Sequence, residues 1–103
     1  MPASSYTVAE GQAQDSCEHI AQVATVEPST PGQCEDCIRE GSRWVHLRLC
    51  LSCGHMGCCD NSPRRHATAH WHASRHPVIR SAEPGEEWAW CYPDELMLVP
   101  IEV

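Results

Sequence analysis

The chain has 103 residues, of which 14 are acidic and 7 basic, so its formal net charge is −7, and it contains 8 cysteines and 7 histidines. A chain of this length buries only a marginal hydrophobic core unless something cross-links it, and the excess of negative charge argues against a nucleic-acid partner. It shows neither a secretory signal nor an apolar stretch long enough for a bilayer, so we expect a reducing, cytoplasmic location and no membrane partner.

The domain boundaries follow from a change in composition near the first cysteine. Residues 1–16 are small and polar and lack periodicity, which predicts a flexible N-terminal tail. The cysteines and histidines begin after this segment, so we expect the folded domain to cover residues 17–99. Residues 100–103 would then form a C-terminal end.

One strand and one helix are predicted in the middle of the chain. Between residues 43 and 50 apolar and polar side chains alternate, and this period is typical of a half-buried strand with Val45, Leu47 and Leu49 on one side. Ser62 followed by Pro63 predicts a helix with Ser62 as N-cap. That helix is expected to end near Ser74, because Pro77 cannot continue it.

Two further extended segments complete the predicted domain. Residues 87–92 alternate, with Trp88, Trp90 and Tyr92 on one side, and residues 96–99 form an apolar run. With the extended segment near Val78, these elements predict an α+β fold, in which a small antiparallel sheet packs with one or two helices.

The spacing of the cysteines and histidines is typical of zinc sites. Two Cys-x-x-Cys pairs occur, Cys34 with Cys37 and Cys50 with Cys53. They are followed by one more thiol and three imidazoles, which gives eight donors, enough for two tetrahedral sites. The count leaves sequential and crossed pairings of these donors open, and it does not decide whether Cys58 or Cys59 is the additional thiol.

These sites are predicted to be structural. A catalytic zinc keeps one position open for water, whereas two sites with four protein ligands each leave no open position. The sequence also lacks a His-Glu-x-x-His motif and a deaminase-like His-x-Glu motif. We therefore expect a protein without enzymatic activity, whose metal-binding free energy stabilises the fold. His46, His55 and His72 are predicted to be ordinary polar histidines.

The order of these motifs resembles that of the UBP-type zinc finger. The relevant pattern is Cys-x-His, Cys-x-x-Cys, Trp, Cys-x-x-Cys-Gly-His-x-Gly-Cys, then His-x3-His-x5-His-Pro and Trp-Cys-Tyr, and it extends from residue 17 to about residue 98. The family is a ubiquitin-binding module of ubiquitin-specific proteases and a histone deacetylase. The chain is most similar to its small stand-alone bacterial members, which share the Gly-Cys-Cys-Asp and Trp-Cys-Tyr-x-Asp variants.

The resemblance implies a crossed set of zinc ligands. One zinc would be held by Cys34, Cys37, Cys58 and His66, and a second by Cys50, Cys53, His70 and His76. The family often has a third site, which here would consist of Cys17, His19, Cys91 and Asp94. Because Asp94 stands where the family has a cysteine, this third site is expected to be weaker. We favour Cys58 as the ligand, with Cys59 as a buried thiol or a member of the third site.

The resemblance also implies a groove for a peptide. Trp44, Trp90 and Tyr92 occupy the positions of the aromatic residues that surround the C-terminus of ubiquitin in the family. The family arginine that binds the terminal carboxylate is replaced by Asp60, which would repel an anionic tail. Our hypothesis is thus a non-catalytic zinc module that binds an unidentified peptide or protein through Trp44, Asp60, Trp90 and Tyr92.

Other functions remain open at this point. They are ubiquitin C-terminus binding, nucleic-acid binding through a local patch at Arg64 and Arg65, and a thiol or metal-sensing role for Cys59 or a labile third site. The aromatic residues could also do no more than cover the sheet and the core.

Overall fold

The structure is a computed structural model that describes residues 6–101. Its main element is a six-stranded antiparallel sheet, with the strands in the order β1-β6-β5-β4-β2-β3. The strands are β1 (Tyr6–Val8), β2 (Leu47–Cys50), β3 (Met56–Cys58), β4 (Val78–Ser81), β5 (Ala89–Cys91) and β6 (Leu96–Pro100). The α+β fold with an antiparallel sheet is confirmed.

Three helical segments accompany the sheet: a 3-10 helix (Glu18–Gln22), α1 (Glu35–Glu40) and α2 (His66–Ser74). The Cys34 knuckle is the start of α1, because the Cys34 sulfur accepts a hydrogen bond from the Cys37 N–H and acts as the N-cap. Within residues 6–101, none of the helices has the length and apolar character needed to cross a bilayer.

The two faces of the sheet pack against different parts of the molecule. Directly paired residues of antiparallel strands point to the same face. One face carries the core, formed by Leu47, Leu49, Val78, Ala89, Cys91, Leu96 and Leu98, and apolar side chains around the 3-10 helix pack on it. The opposite face carries Arg48, Ile79, Trp90 and Met97, and α2 packs against its β2–β3 edge.

Strand β2 is shorter than the alternating pattern predicts. It begins at Leu47, and Val45 is 51% exposed, so Val45 does not share the buried side with Leu47 and Leu49. The Val45 N–H donates to the Ser62 hydroxyl, 2.8 Å away, and is therefore not available for the sheet. The predicted start of the strand at residue 43 is wrong for this reason.

Helix α2 also begins later than predicted. The Ser62 side chain is engaged with Val45, and Arg65 adopts a left-handed conformation with φ of 48°, so the helix starts at His66. It ends at Ser74, as predicted.

The first turn of α2 touches strand β3. A Cβ added to Gly57 would lie 2.7 Å from the Ala67 nitrogen, so only glycine permits this approach. The contact places His66, the first residue of α2, beside Cys58, the last residue of β3, and so brings two donors from different elements together.

The predicted tail is wrong at residues 6–8. These residues form β1, which pairs with β6 and provides its otherwise free edge with hydrogen-bond partners. Residues 1–5 of the predicted tail lie outside the described residues. Strand β6 extends to Pro100, so the sheet also includes the first residue of the predicted C-terminal end.

Candidate metal centres and binding groove

Four donors from three elements meet in what we name the buried cluster, which consists of Cys34, Cys37, Cys58 and His66. Helix α1 and its N-cap supply the first two thiols, β3 supplies the third, and α2 supplies the imidazole. All four residues are buried. The Cys58 sulfur also accepts a hydrogen bond from the His66 N–H, which holds the start of α2 against the cluster.

The distances in the buried cluster fit a tetrahedral zinc ion. Zinc bonds of about 2.3 Å to sulfur and 2.0 to 2.1 Å to nitrogen imply roughly 3.8 Å between two sulfurs and 3.6 Å between sulfur and nitrogen. The Cys37 and Cys58 sulfurs are 3.8 Å apart, and the His66 Nδ1 lies 3.3 to 3.5 Å from the three sulfurs. Three thiols and one imidazole are also a donor set that suits zinc.

Burial changes the chemistry of these thiols. It raises the pKa of Cys34 to about 12, because a thiolate in this environment lacks solvation and faces two other sulfurs. A divalent cation at the centre would favour the thiolate form over the thiol, since its charge stabilises the thiolates directly. The buried cluster is therefore suited to a bound cation rather than to free reactive thiols.

A second set of donors, which we name the open cluster, contains Cys50, Cys53, His70 and His76. The Cys50 sulfur lies 3.5 Å from the His76 Nδ1, and the Cys53 sulfur lies 3.4 Å from the His70 Nε2. Only Cys50 is buried, and Cys53 is exposed. Helix α2 thus supplies one histidine to each of two clusters, His66 at its start and His70 one turn later.

A third set, which we name the mixed cluster, contains Cys17, His19, Cys91 and Asp94. The Cys91 sulfur lies 3.5 Å from the His19 Nδ1 and 3.7 Å from the Asp94 Oδ2. Hydrogen bonds from Cys17 and His19 hold the pKa of the Asp94 carboxyl below its usual range, and burial raises the pKa of Cys91 to about 12. The two thiols, one imidazole and one carboxylate could hold a zinc ion.

Cys59 lies outside all three clusters. Its sulfur is 3.6 Å from the Ser62 hydroxyl, whereas Cys58 faces Cys37. Burial raises the pKa of the Cys59 thiol, but hydrogen bonds from Ser62 and the Asn61 backbone outweigh it and bring the pKa below its usual range. The structure therefore places Cys58, and not Cys59, among the donors of the buried cluster.

His55, predicted to be an ordinary polar histidine, packs against the open cluster. Its ring stacks on His70 with a centroid distance of 4.3 Å and an interplanar angle of 6°. Its Nε2 lies 2.8 Å from the Asp36 Oδ2, and its Nδ1 lies 3.5 Å from the Glu35 Oε1. His55 therefore packs on a candidate donor histidine, and this contact could not be predicted from its position in the knuckle turn. His46 and His72 are exposed.

A cavity of about 260 Å³ lies on the sheet face opposite the core. Its aromatic lining consists of Trp88, Trp90 and Tyr92, and its charged lining consists of Arg48 and Asp60. We name this cavity the aromatic groove. The structure thus brings Asp60, Trp90 and Tyr92 together around one cavity, as the family resemblance implies.

Trp44 does not join the aromatic groove. Its half-buried side chain packs against the hydrophobic core instead. Trp44 precedes β2 by three residues, so it lies outside the sheet whose alternation directs Arg48 into the groove. The prediction of Trp44 as a groove residue is therefore not supported by the fold.

Two sets of contacts around the groove were not predicted. The Arg48 guanidinium lies 4.7 Å from the Trp88 ring centroid, so a cation covers one wall. Trp71, on α2, stacks on Tyr92 with parallel rings whose centroids are 5.5 Å apart, and the Arg75 guanidinium lies over the Trp71 ring, 5.1 Å from its centroid. Alternation within β2 could have suggested Arg48, but the contact between Trp71 and Tyr92 depends on how α2 crosses the sheet.

Comparisons with known proteins agree with this geometry. The family described as "Zn-finger in ubiquitin-hydrolases and other protein" matches residues 34–101. The solution NMR structure of protein RPA1320 from Rhodopseudomonas palustris is 55% identical, covers 82% of this chain and 81% of its own, and superposes with a TM-score of 0.73. A search of curated proteins finds no significant match.

The family match covers about two thirds of the chain and includes the buried and open clusters, while the mixed cluster takes two of its four residues from the segment before it. Together with the similar bacterial structure, it confirms the resemblance that the cysteine and histidine spacing indicated. The chain belongs to the UBP-type zinc finger family.

Proposed function

We propose that the protein is a non-catalytic zinc module that binds a peptide segment of a partner protein in the aromatic groove. The observation that carries this proposal is the combination of three aromatic side chains with one cation and one anion around a single cavity. Tryptophan, tyrosine and arginine are enriched among the few residues that provide most of the binding energy at protein interfaces.

The proposed metals are zinc ions in the buried and open clusters, with a third in the mixed cluster. The first two clusters each offer four protein donors, which leaves no position for a substrate or an activated water. The metals then stabilise the fold and hold α2 against the sheet. The groove, formed where α2 meets that sheet, depends on this arrangement.

The size of the groove favours a short peptide segment. Small-molecule sites typically have volumes of about 300 to 1,000 Å³, and the aromatic groove is smaller. A peptide side chain or a pair of small residues needs less space. The larger cavity, about 370 Å³, lies on the core face, and its lining contains a single aromatic residue, Tyr6.

The charges of the groove narrow the class of peptide. Within residues 6–101, neither Arg48 nor Asp60 forms an ion pair; the Asp60 Oδ1 accepts a hydrogen bond of 2.6 Å from the Thr68 hydroxyl. The groove thus offers a guanidinium and a carboxylate to a ligand. This favours a segment with both acceptor and donor groups, and Asp60 disfavours the anionic C-terminus of ubiquitin.

A nucleic-acid ligand receives less support. The net charge is −7, and Arg64 of the basic pair at the start of α2 is already engaged with Glu40, with its Nε 3.2 Å from the Glu40 Oε1. The excess of acidic over basic side chains opposes association with phosphate groups.

The test compares two tryptophan variants in a peptide-array pull-down of the zinc-loaded protein. Trp90→Ala removes a wall of the groove and is expected to weaken binding of the selected peptides by at least about 30-fold, because it deletes a central aromatic contact. Trp44→Ala is the matched control, since Trp44 packs elsewhere. Native mass spectrometry of each variant checks that the metals remain bound.

Two results would contradict the proposal. Identical peptide sets for the wild type, Trp90→Ala and Trp44→Ala would show that the groove is not the binding site. Ubiquitin with an intact C-terminus is included as a probe, and tight capture of ubiquitin would overturn the argument from Asp60.

A further inference from the structure

The histidine of the buried cluster has a second partner outside the cluster. The His66 Nδ1 faces the three sulfurs at 3.3 to 3.5 Å. The other ring nitrogen, Nε2, lies 3.1 Å from the Oε1 of Glu40. His66 is only 7% exposed, so its ring sits between the cluster and this carboxylate with little access to water.

Glu40 is held in place from three directions. It is the last residue of α1, which also carries Cys37 and is capped by Cys34. Gly41, with φ of 75°, ends the helix immediately afterwards, and the Gly41 N–H donates to the Cys37 carbonyl. On the solvent side, the Arg64 Nε donates to the same carboxylate oxygen at 3.2 Å.

The position of the proton on His66 decides whether the ring can bind a metal. A neutral imidazole carries its proton on one nitrogen and a lone pair on the other. A carboxylate beside Nε2 favours the proton there, because only a protonated Nε2 can donate to it. The lone pair then lies on Nδ1, which is the nitrogen that faces the thiols.

We propose that Glu40 is a positioning residue that keeps His66 in the Nε2–H tautomer, with Nδ1 directed at the buried cluster, and that Arg64 holds Glu40 in this role. The inference rests on the proposed metal binding and adds a residue outside the four donors. In other metal sites, such outer carboxylates raise the basicity of the histidine and fix the orientation of its ring.

A simple surface ion pair between Glu40 and Arg64 is the competing explanation. Such pairs are screened by solvent and contribute little to stability. If it were correct, removal of Glu40 would leave the tautomer and metal retention of His66 unchanged. The two explanations therefore differ in a spectroscopic measurement.

The experiment uses the zinc-loaded full chain with Glu40→Ala, Glu40→Gln and the control Glu35→Ala. Glu35 lies on the same helix but contacts His55, which stacks on His70 of the open cluster and does not touch the buried cluster, so Glu35→Ala controls for the His66 proton signal. Nitrogen-15 NMR of the histidine rings reports which nitrogen of His66 carries the proton and how fast that proton exchanges with water. Zinc transfer to a coloured chelator reports retention of the metals.

We expect the wild type and Glu35→Ala to show a His66 Nε2 proton that exchanges slowly. In Glu40→Ala the Nε2 proton should exchange rapidly with water, and zinc should leave the buried cluster about 10- to 100-fold faster. Glu40→Gln retains an acceptor oxygen, so its His66 Nε2 proton should exchange more slowly than that of Glu40→Ala. This partial recovery distinguishes positioning from a loss of charge.

Three results would overturn the inference: a His66 proton on Nδ1, a metal bound through Nε2, or a Glu40→Ala protein with unchanged proton exchange and zinc transfer. If Glu40→Ala does not fold, the wild-type tautomer and the Glu40→Gln protein still decide the question. A wild-type chain that binds no metal in native mass spectrometry would instead refute the proposed function itself.

Discussion

The buried cluster and the mixed cluster each bring four donors together, but in different surroundings. The buried cluster joins α1, β3 and α2, and all four of its candidate donors are buried. The mixed cluster joins the segment of the 3-10 helix to the turn between β5 and β6, and its His19 and Asp94 are partly exposed. It also replaces one soft donor with a carboxylate.

The difference indicates which cluster would contribute most to the stability of the fold if all three bound a metal. Within residues 6–101 no strand pairing connects α1 to α2, so a metal in the buried cluster would reinforce the contact that Glu40 of α1 makes with His66 of α2. Strands β5 and β6 are already paired along the sheet, and the His19 Nδ1 lies 3.0 Å from the Asp94 Oδ2, within hydrogen-bond distance. The open cluster is intermediate in burial between the other two, because one of its thiols is buried and the other is exposed.

The largest effect is expected from Cys37→Ser in the buried cluster. A structural zinc site contributes on the order of 10 kcal/mol to folding, comparable to the whole stability of a small domain. The variant should therefore lose its circular dichroism and shift its tryptophan emission at neutral pH. The matched control is Cys59→Ser, which removes a buried thiol outside the clusters. A folded Cys37→Ser protein with every metal retained would refute the claim that the buried cluster contributes most to folding.

A smaller effect is expected from Cys53→Ser in the open cluster. Cys53 and His70 are 17 residues apart, and a cross-link that closes a loop of this size contributes about 3 kcal/mol. The variant should stay folded, bind one metal fewer, and unfold about 10 to 20 °C below the wild type. Native mass spectrometry and a thermal melt measure both effects. If Cys53→Ser is unfolded at room temperature, the open cluster contributes as much to the stability of the fold as the buried cluster does.

The smallest effect is expected at Asp94 in the mixed cluster. Asp94→Cys replaces a carboxylate with a thiolate, a donor that binds zinc more strongly, and should tighten the third metal by about tenfold or more, equal to about 1.4 kcal/mol. Asp94→Asn should weaken it while the fold remains intact. Competition with a chelator, with metals counted by mass, provides the measurement. An unchanged metal count and affinity in both variants would show that Asp94 is not a donor.

Local spacing explains why the candidate donors could be predicted. In each Cys-x-x-Cys pair the chain turns within four residues, so the two thiols meet whatever the rest of the fold does. Asp94, three residues after Cys91, was assigned as a donor by the family resemblance. Assignment of the pairs to separate clusters came from the family resemblance, and the structure brings the predicted sets together. Their ligation of zinc stays a prediction.

The sequence by itself determined the α+β class, the family and the candidate donors, because hydrophobic alternation and cysteine spacing act over a few residues. Only the tertiary structure decided that residues 6–8 complete the sheet, that α2 starts at His66, and that Trp44 packs on the core while Arg48 lines the groove. The contact between Glu40 and His66 joins residues 26 positions apart. Such pairings depend on how helices and sheet pack, which no local pattern encodes.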